Sequence, residues 1–203
     1  MASQAYAIAM RLFAALDIPD FVKESLSDWW ANACIHLDAK EWRHVPPHQW
    51  HLTLAFYGDV AGQDADNLAE SLADCAMQSP VINLKTEAYG VFPKPHRARV
   101  FWAGIADAGT GSDLKHLARC CRRVGHATVR KRNAKESAFR AHITMARCKG
   151  HARALDVEYL ALMPPLPQLS WSVNSLSLFQ SVLQPEGAQY RRLETFELKN
   201  RSL

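Results

Sequence analysis

Cysteine is sparse in this chain of 203 residues, and what there is follows no bonding pattern. Cys34, Cys75, Cys120, Cys121 and Cys148 make an odd count with one adjacent pair and no C-x-x-C spacing. That argues against a disulfide framework and against a structural zinc site, and suits a reducing compartment. Long apolar runs are missing too. Residues 5–16 (AYAIAMRLFAAL) are broken by Arg11 and followed by no small-residue cleavage site, so they read as a strand rather than a signal peptide. Nothing approaches the ~20 apolar residues that cross a bilayer. No membrane association is expected, and the expected location is the cytoplasm. Repeats of solenoid period and low-complexity segments are absent. Metal-ligand spacing is lacking among His36, His44, His48, His96, His116 and His151, and Pro46 and Pro47 keep His44 and His48 from sharing a helix.

What is present is ordinary for a globular protein: 48% hydrophobic and 22% charged residues. A net charge of +4 and a pI near 8.9 permit a polyanionic partner without demanding one. The length suits one large domain or two small ones sharing a core. A buried strand is expected over 6–16, and D-I-P-D at 17–20 starts a helix that runs to about Ala33. After Val45-Pro46-Pro47, Gln49–Tyr57 reads as a strand closed by Gly58-Asp59. Helical spacing returns over 64–78 and 113–124. Strands are expected over 81–88 and 98–105, around a turn with Gly90, Pro93 and Pro95, and a basic loop over 125–138. A strand follows over 139–148, then, past Pro164, Pro165 and Pro167, two more over 170–183 (with a bend) and 188–198, joined by Pro185-Glu186-Gly187. Mixed elements with hairpins indicate an α+β fold rather than a doubly wound parallel sheet.

One long-range echo carries chemistry. His51-Leu52-Thr53-Leu54-Ala55 and His142-Ile143-Thr144-Met145-Ala146 share the order His, apolar, Thr, apolar, Ala. On a strand, residues two apart point the same way, so each segment offers an imidazole beside a hydroxyl over an apolar face. The hydroxyl can donate to a phosphate oxygen while the imidazole exchanges protons near neutral pH. Two such strands could flank one phosphate, one histidine as general base and the other as general acid. His126-Ala127-Thr128 fits the three-letter pattern as well, but it follows Gly125 at a helix end without the alternating register. It is set aside as a decoy.

With these motifs the chain resembles the two-histidine phosphoesterases, and within them the RNA 2′,3′-cyclic phosphodiesterases, also called 2′-5′ RNA ligases. The likeness spans five blocks in order. They are RLFAAL at 11–16 with Pro19; Val45-Pro46 with WHLTLAFYGDV at 50–60; Phe92 to Pro95 through Arg99 to Trp102; FRAHITMAR at 139–147; and LSLFQS at 176–181 with GAQY at 187–190. Ala141 stands where the family has Pro, Tyr57 where it often has Leu, and Met145 where it has Leu; none removes a reactive group. The resemblance implies a single two-lobed domain over 1–203, with two antiparallel sheets related by a pseudo-twofold, helices outside and a central cleft. It makes His51 the proton donor to the leaving O3′ and His142 the base that activates water. Thr53, Thr144 and Arg147 would bind phosphate, and Phe56 would lie near the nucleoside. No cofactor and no metal are implied. The substrate would be an RNA with a 2′,3′-cyclic phosphate end or a cyclic nucleotide, the product a 2′-phosphate, and the protein a monomer. Strand parity alone does not put Arg147 or Phe56, five residues past each histidine, on the histidine face; a bulge would be needed.

The same residues would also serve 2′-5′ joining or 2′-5′ phosphodiester cleavage, which sequence cannot separate from ring opening. A non-catalytic module that binds RNA ends and a zinc hydrolase using both histidines are further readings. The first is opposed by two intact motifs, the second by the lack of a third ligand at a recognisable spacing. Basic residues gather at Arg119, Arg122, Arg123, Arg130, Lys131, Arg132 and Lys135, and again at Lys94, His96, Arg97 and Arg99. A solvated helix face and loop is the simpler account of the first group, a polynucleotide-tracking surface the other. The six tryptophans could stack on bases, but most are better explained by packing, with Trp50 pointing away from His51.

Overall fold

The first strand, β1 (Met10–Asp17), buries Leu12, Phe13, Ala14, Ala15 and Leu16 in succession, hence on both faces. A strand covered on both sides belongs inside a sheet. In the computed structural model, which describes residues 9–35, 37–109, 111–128, 138–155, 157–184 and 187–199, β1 lies between two antiparallel neighbours. These are β3 (His51–Val60) and β8 (Ser175–Gln184). The remaining strands are β2 (Trp42–His44), β4 (Ile82–Phe92), β5 (Val100–Asp107), β6 (His142–Cys148), β7 (Ser170–Val173) and β9 (Gly187–Glu197). Residues 6–8 of the expected first strand lie outside the described residues.

Four helices accompany the strands among the described residues: α1 (Asp20–Ala33), α2 (Gly62–Met77), α3 (Asp113–Thr128) and α4 (Val157–Leu162). The first three follow from apolar periodicity. α1 begins after Pro19, whose carbonyl accepts from Val22 N and Lys23 N, and it buries Val22, Leu26, Trp29, Trp30 and Ala33. α2 buries Ala65, Leu68, Leu72, Cys75 and Ala76; α3 buries Leu114, Leu117, Ala118, Cys121 and Gly125. α3 runs to Thr128, past the residue where a loop was expected, so His126-Ala127-Thr128 forms its last turn. All six tryptophans are at most 9% exposed, which makes them packing residues, and Trp50 Nε1 donates to Val45 O at 2.8 Å.

The α+β, antiparallel reading holds, with one correction to its architecture. The described strands form one nine-stranded sheet in the order β7-β4-β5-β6-β3-β1-β8-β9, with β2 on β6. Two separate sheets were expected. Instead β3 and β6 meet through one pair, Leu52↔Ile143, which ties the two halves into a single path. The expected strand over 170–183 also divides: Asn174 separates β7, which pairs with β4, from β8, which pairs with β1. The chain thus crosses between the outer edge of one half and the interior of the other within a single residue. β2 and α4 were not anticipated.

The cysteine reading needs one correction as well. Cys75 of α2 and Cys120 of α3 form a disulfide across 45 residues, while Cys34, Cys121 and Cys148 are free. The two helices pack together, and each presents its cysteine to the other; spacing along the chain carries no trace of that approach. Among the described residues no helix is long and apolar enough to cross a membrane.

Candidate active site

The Leu52↔Ile143 pair sets the site. Leu52 and Ile143 are fully buried, so the residues on either side of each turn to the opposite face. That face carries His51 and Thr53 from β3 and His142 and Thr144 from β6. In antiparallel register, stepping one place from the pair sets His51 toward Thr144 and Thr53 toward His142. The echo in sequence therefore becomes a four-residue constellation across one strand boundary. Neither threonine hydroxyl is bonded to another described residue.

Both strands then break parity at the same point. Opposite β1, Ala15 pairs with Thr53 and Ala14 with Ala55, leaving Leu54 extra; opposite β5, Trp102 pairs with Thr144 and Phe101 with Ala146, leaving Met145 extra. Each bulge lies at the apolar-Ala step, where two consecutive residues, Leu54-Ala55 and Met145-Ala146, are buried. A bulge moves every later side chain to the other face. As a result Phe56 pairs with Phe13, whose ring is 4.9 Å from that of His51, and Arg147 pairs with Val100, two places from Trp102 and on its face. The bulge that parity required for Phe56 and Arg147 is thus present in both strands. Phe56 is 38% exposed and lies under Arg11, 4.9 Å from its guanidinium carbon.

The imidazoles are pinned in matching ways. His51 Nδ1 lies 2.8 Å from Gln49 O, and His142 Nδ1 lies 2.7 Å from Arg140 O. A carbonyl only accepts, so in each ring Nδ1 carries the hydrogen and Nε2 is left to exchange a proton. Burial pushes His51 down to about 4; the Gln49 carbonyl opposes this, the Arg147 charge adds to it, Asp17 opposes it, and His142 adds a smaller push downward. His142 is also lowered, first by burial, against the Arg140 carbonyl, and further by the Arg147 and Arg140 charges. Arg147 therefore acts on both rings.

Several residues around the histidines were assigned no part in the site from the sequence, although most lie in the matched blocks. His51 packs against Phe13 and Tyr190, each at 4.9 Å between ring centroids, and Phe179 at 6.3 Å. Asp17 is its cross-strand partner on β1; the Asp17 carboxylate accepts from Arg192 Nη2 at 2.5 Å and from Ser177 Oγ at 3.0 Å. Asp17, His51, Phe179, Tyr190 and Arg192 edge a hollow of about 480 Å³. Asp17 had been visible only as part of a helix-start signal. His142 packs against Phe92 at 5.0 Å and Trp102 at 6.4 Å, and the Arg140 guanidinium lies 5.6 Å from both of those rings. Gly90 and Gly104 make room for Trp102: a Cβ on Gly90 would come within 2.6 Å of the indole, and one on Gly104 within 3.1 Å of it and 2.6 Å of Ala88 O. The decoy His126 is exposed on α3 and lines a different hollow. Arg130, Lys131, Arg132, Lys135 and His36 lie outside the described residues. Among the described residues no group of three or more His, Cys, Asp or Glu could hold a metal ion.

An antiparallel sheet whose two innermost strands each present a histidine and a threonine defines a class that sequence comparison identifies independently. The model of the LigT-like phosphoesterases matches residues 16–102. An RNA 2′,3′-cyclic phosphodiesterase of Thermus thermophilus is 31% identical, over 94% of this chain and 91% of its own. Another from Aeropyrum pernix is 32% identical over 76% and 84%. The crystal structure of the Thermus thermophilus protein TT0787 superimposes with a TM-score of 0.78 at 28% identity, covering 95% of this chain and all of the other. The chain belongs to the RNA 2′,3′-cyclic phosphodiesterase family of LigT-like phosphoesterases, and it is an enzyme of the phosphodiesterase class.

Proposed function

We propose that this protein opens the 2′,3′-cyclic phosphate at the end of an RNA, or of a cyclic nucleotide, to a 2′-phosphate, using its two histidines and no metal. The observation that carries this reading is the doubled, bulged strand: two imidazoles on one face, a threonine hydroxyl beside each with no partner among the described residues, and a guanidinium whose charge acts on both rings. The substrate class is taken over from the relatives, which bear that name.

In the reaction, His142 Nε2 accepts a proton from water as the water oxygen bonds to phosphorus. The P–O3′ bond breaks, and His51 Nε2 gives its proton to O3′. The pair then resets by exchange with solvent. Thr53, Thr144 and Arg147 hold the non-bridging oxygens, where charge accumulates in the transition state. Phe56 flanks the nucleoside. Burial and Arg147 oppose a proton on both rings; the charges that differ are Asp17, which supports a proton on His51, and Arg140, which opposes one on His142. In the empty site His51 is neutral at pH 7; the phosphate anion, once bound, offsets Arg147 and lets the ring take up the proton it must donate.

The test is incubation of the purified protein with a 2′,3′-cyclic-phosphate oligonucleotide in EDTA, followed by identification of the hydroxyl that keeps the phosphate. A 2′-phosphate product is expected. A 3′-phosphate, or turnover only with added metal, would overturn the assignment.

A further inference from the structure

The basic residues of α3 lie on a largely exposed face, and five of them converge. Lys115, Arg119, Arg122, Arg123 and His126 line one hollow of about 440 Å³, joined among the described residues by Phe139 alone. No described carboxylate lines it. A second hollow of about 410 Å³ shares Lys115 and Phe139 with the first and reaches Trp102, Gly104, Arg140 and Ala141, which border His142. The two form one groove from the flank of His142 to the far end of α3. Of the two carboxylates along the second part, Asp107 is committed to capping, accepting from Gly109 N at 2.9 Å and Leu114 N at 3.1 Å, and Glu87 is exposed.

The groove is tied to the catalytic strand. Leu54 is the residue that the bulge leaves without a partner on β1, and its carbonyl accepts from Arg122 Nε at 3.3 Å. The same guanidinium lies 5.2 Å from the Phe139 ring, just ahead of β6. Arg122 thereby fixes α3 against both histidine strands and leaves Lys115, Arg119 and Arg123 exposed along the helix. From Lys115 to His126 the helix rises about 16 Å, room for several phosphates of a stacked strand at about 3.4 Å each.

We propose that this groove is the track for the RNA strand upstream of the cyclic end, so that the preferred substrate is a polynucleotide rather than a mononucleotide. The proposal rests on the reading of the site as a cyclic phosphodiesterase. Charge complementarity selects the occupant: a cationic wall with one aromatic side chain suits a single strand, whose phosphates pair with the cations while a base stacks on Phe139.

The test compares wild type with the triple variant Lys115→Gln/Arg119→Gln/Arg123→Gln, all exposed helix positions where glutamine is a good helix former. Turnover of a 2′,3′-cyclic mononucleotide is expected to stay within about twofold, while kcat/KM on a cyclic-phosphate oligonucleotide of about fifteen nucleotides falls at least about tenfold at low salt. The slope of log(kcat/KM) against log[salt] should become shallower by about 2, roughly 0.7 per lost contact. Binding of the same oligonucleotide with a plain 3′-hydroxyl end is followed by fluorescence anisotropy, because it needs no turnover. Equal effects on both substrates, or unchanged oligonucleotide binding and salt slope, would overturn the track. If the wild type turned over neither substrate while the binding difference persisted, the track would stand and the assigned reaction would fall.

Discussion

The β3 half and the β6 half of the sheet repeat each other in backbone and differ in charge. Each has a histidine pinned through Nδ1 to the carbonyl two residues earlier, a threonine beside it, and a bulge at the following apolar-Ala step. Yet His51 sits among Phe13, Phe179 and Tyr190 with the Arg147 guanidinium and the Asp17 carboxylate in its field, whereas His142 sits against Phe92 and Trp102 with the Arg147 and Arg140 guanidiniums in its field. Duplicated geometry sets two imidazoles on one face of the sheet, each held through Nδ1. In the proposed reaction one ring must give a proton and the other take one, and the charges that differ between them, Asp17 and Arg140, are where that division can be tested.

The strongest way to break that comparison is to remove one ring at a time. His51→Ala and His142→Ala are each expected to lower kcat by about 10²–10⁴-fold. Because the two act in one step, the double variant should be little worse than either single one. His126→Ala should leave turnover within about twofold; a large loss there would mean the wrong histidine had been chosen.

Unfolding tests the same burial without substrate. The unfolded chain protonates His51 near 6.5 and the folded chain only near 4, so between these values the unfolded state binds more protons. Stability therefore rises with pH through that window and is lost as pH falls. His51 alone should account for on the order of 3 kcal/mol between pH 7 and pH 4, somewhat less where solvent reaches the ring. His142, also lowered, acts in the same direction. Urea unfolding at pH 7 and pH 5 should show the drop in wild type and a flatter response in His51→Gln; identical responses would contradict the lowered imidazole.

Among the described residues, Arg147 is the one guanidinium whose charge lowers both imidazoles. Arg147→Gln should cost about 10²-fold in kcat/KM, as loss of a transition-state oxyanion contact does. It should also raise both imidazole pKa values in an NMR titration of the free enzyme. A rise in only one ring would place the guanidinium in one half alone.

The smallest effects should be the most discriminating. Asp17→Asn removes the charge that favours a proton on His51, so its pKa falls and the pH–rate profile of kcat moves to lower pH on the limb set by the acid. Arg140→Gln removes a charge that opposes a proton on His142, so the limb set by the base moves to higher pH. Each should change kcat at pH 7 by roughly tenfold or less. Movement of the same limb in both variants would reverse or dissolve the assigned roles.

Much of the site was legible in residue order, because a two-residue repeat is enough to put His51 and Thr53, or His142 and Thr144, on one face of a strand. Helical periodicity likewise located α2 and most of α3, and the D-I-P-D start signal located α1. Phe56 and Arg147 were reached only through family resemblance, since the bulges that turn them toward the histidines arise from pairing with β1 and β5. Asp17, Arg192, Tyr190 and Arg140 left no signal that tied them to the site: each owes its place to a cross-strand neighbour or to a backbone carbonyl rather than to spacing.

Local order along the chain determined the α+β class, the two histidine strands and the dismissal of His126, because alternation and helical period are properties of neighbouring residues. Tertiary structure alone decided that one pair, Leu52↔Ile143, joins the halves into one sheet, that Asn174 hands the chain from one half to the other, and that Cys75 meets Cys120. These depend on contacts between residues far apart in the chain, and strand pairing at that range is set by how whole faces pack rather than by any short motif.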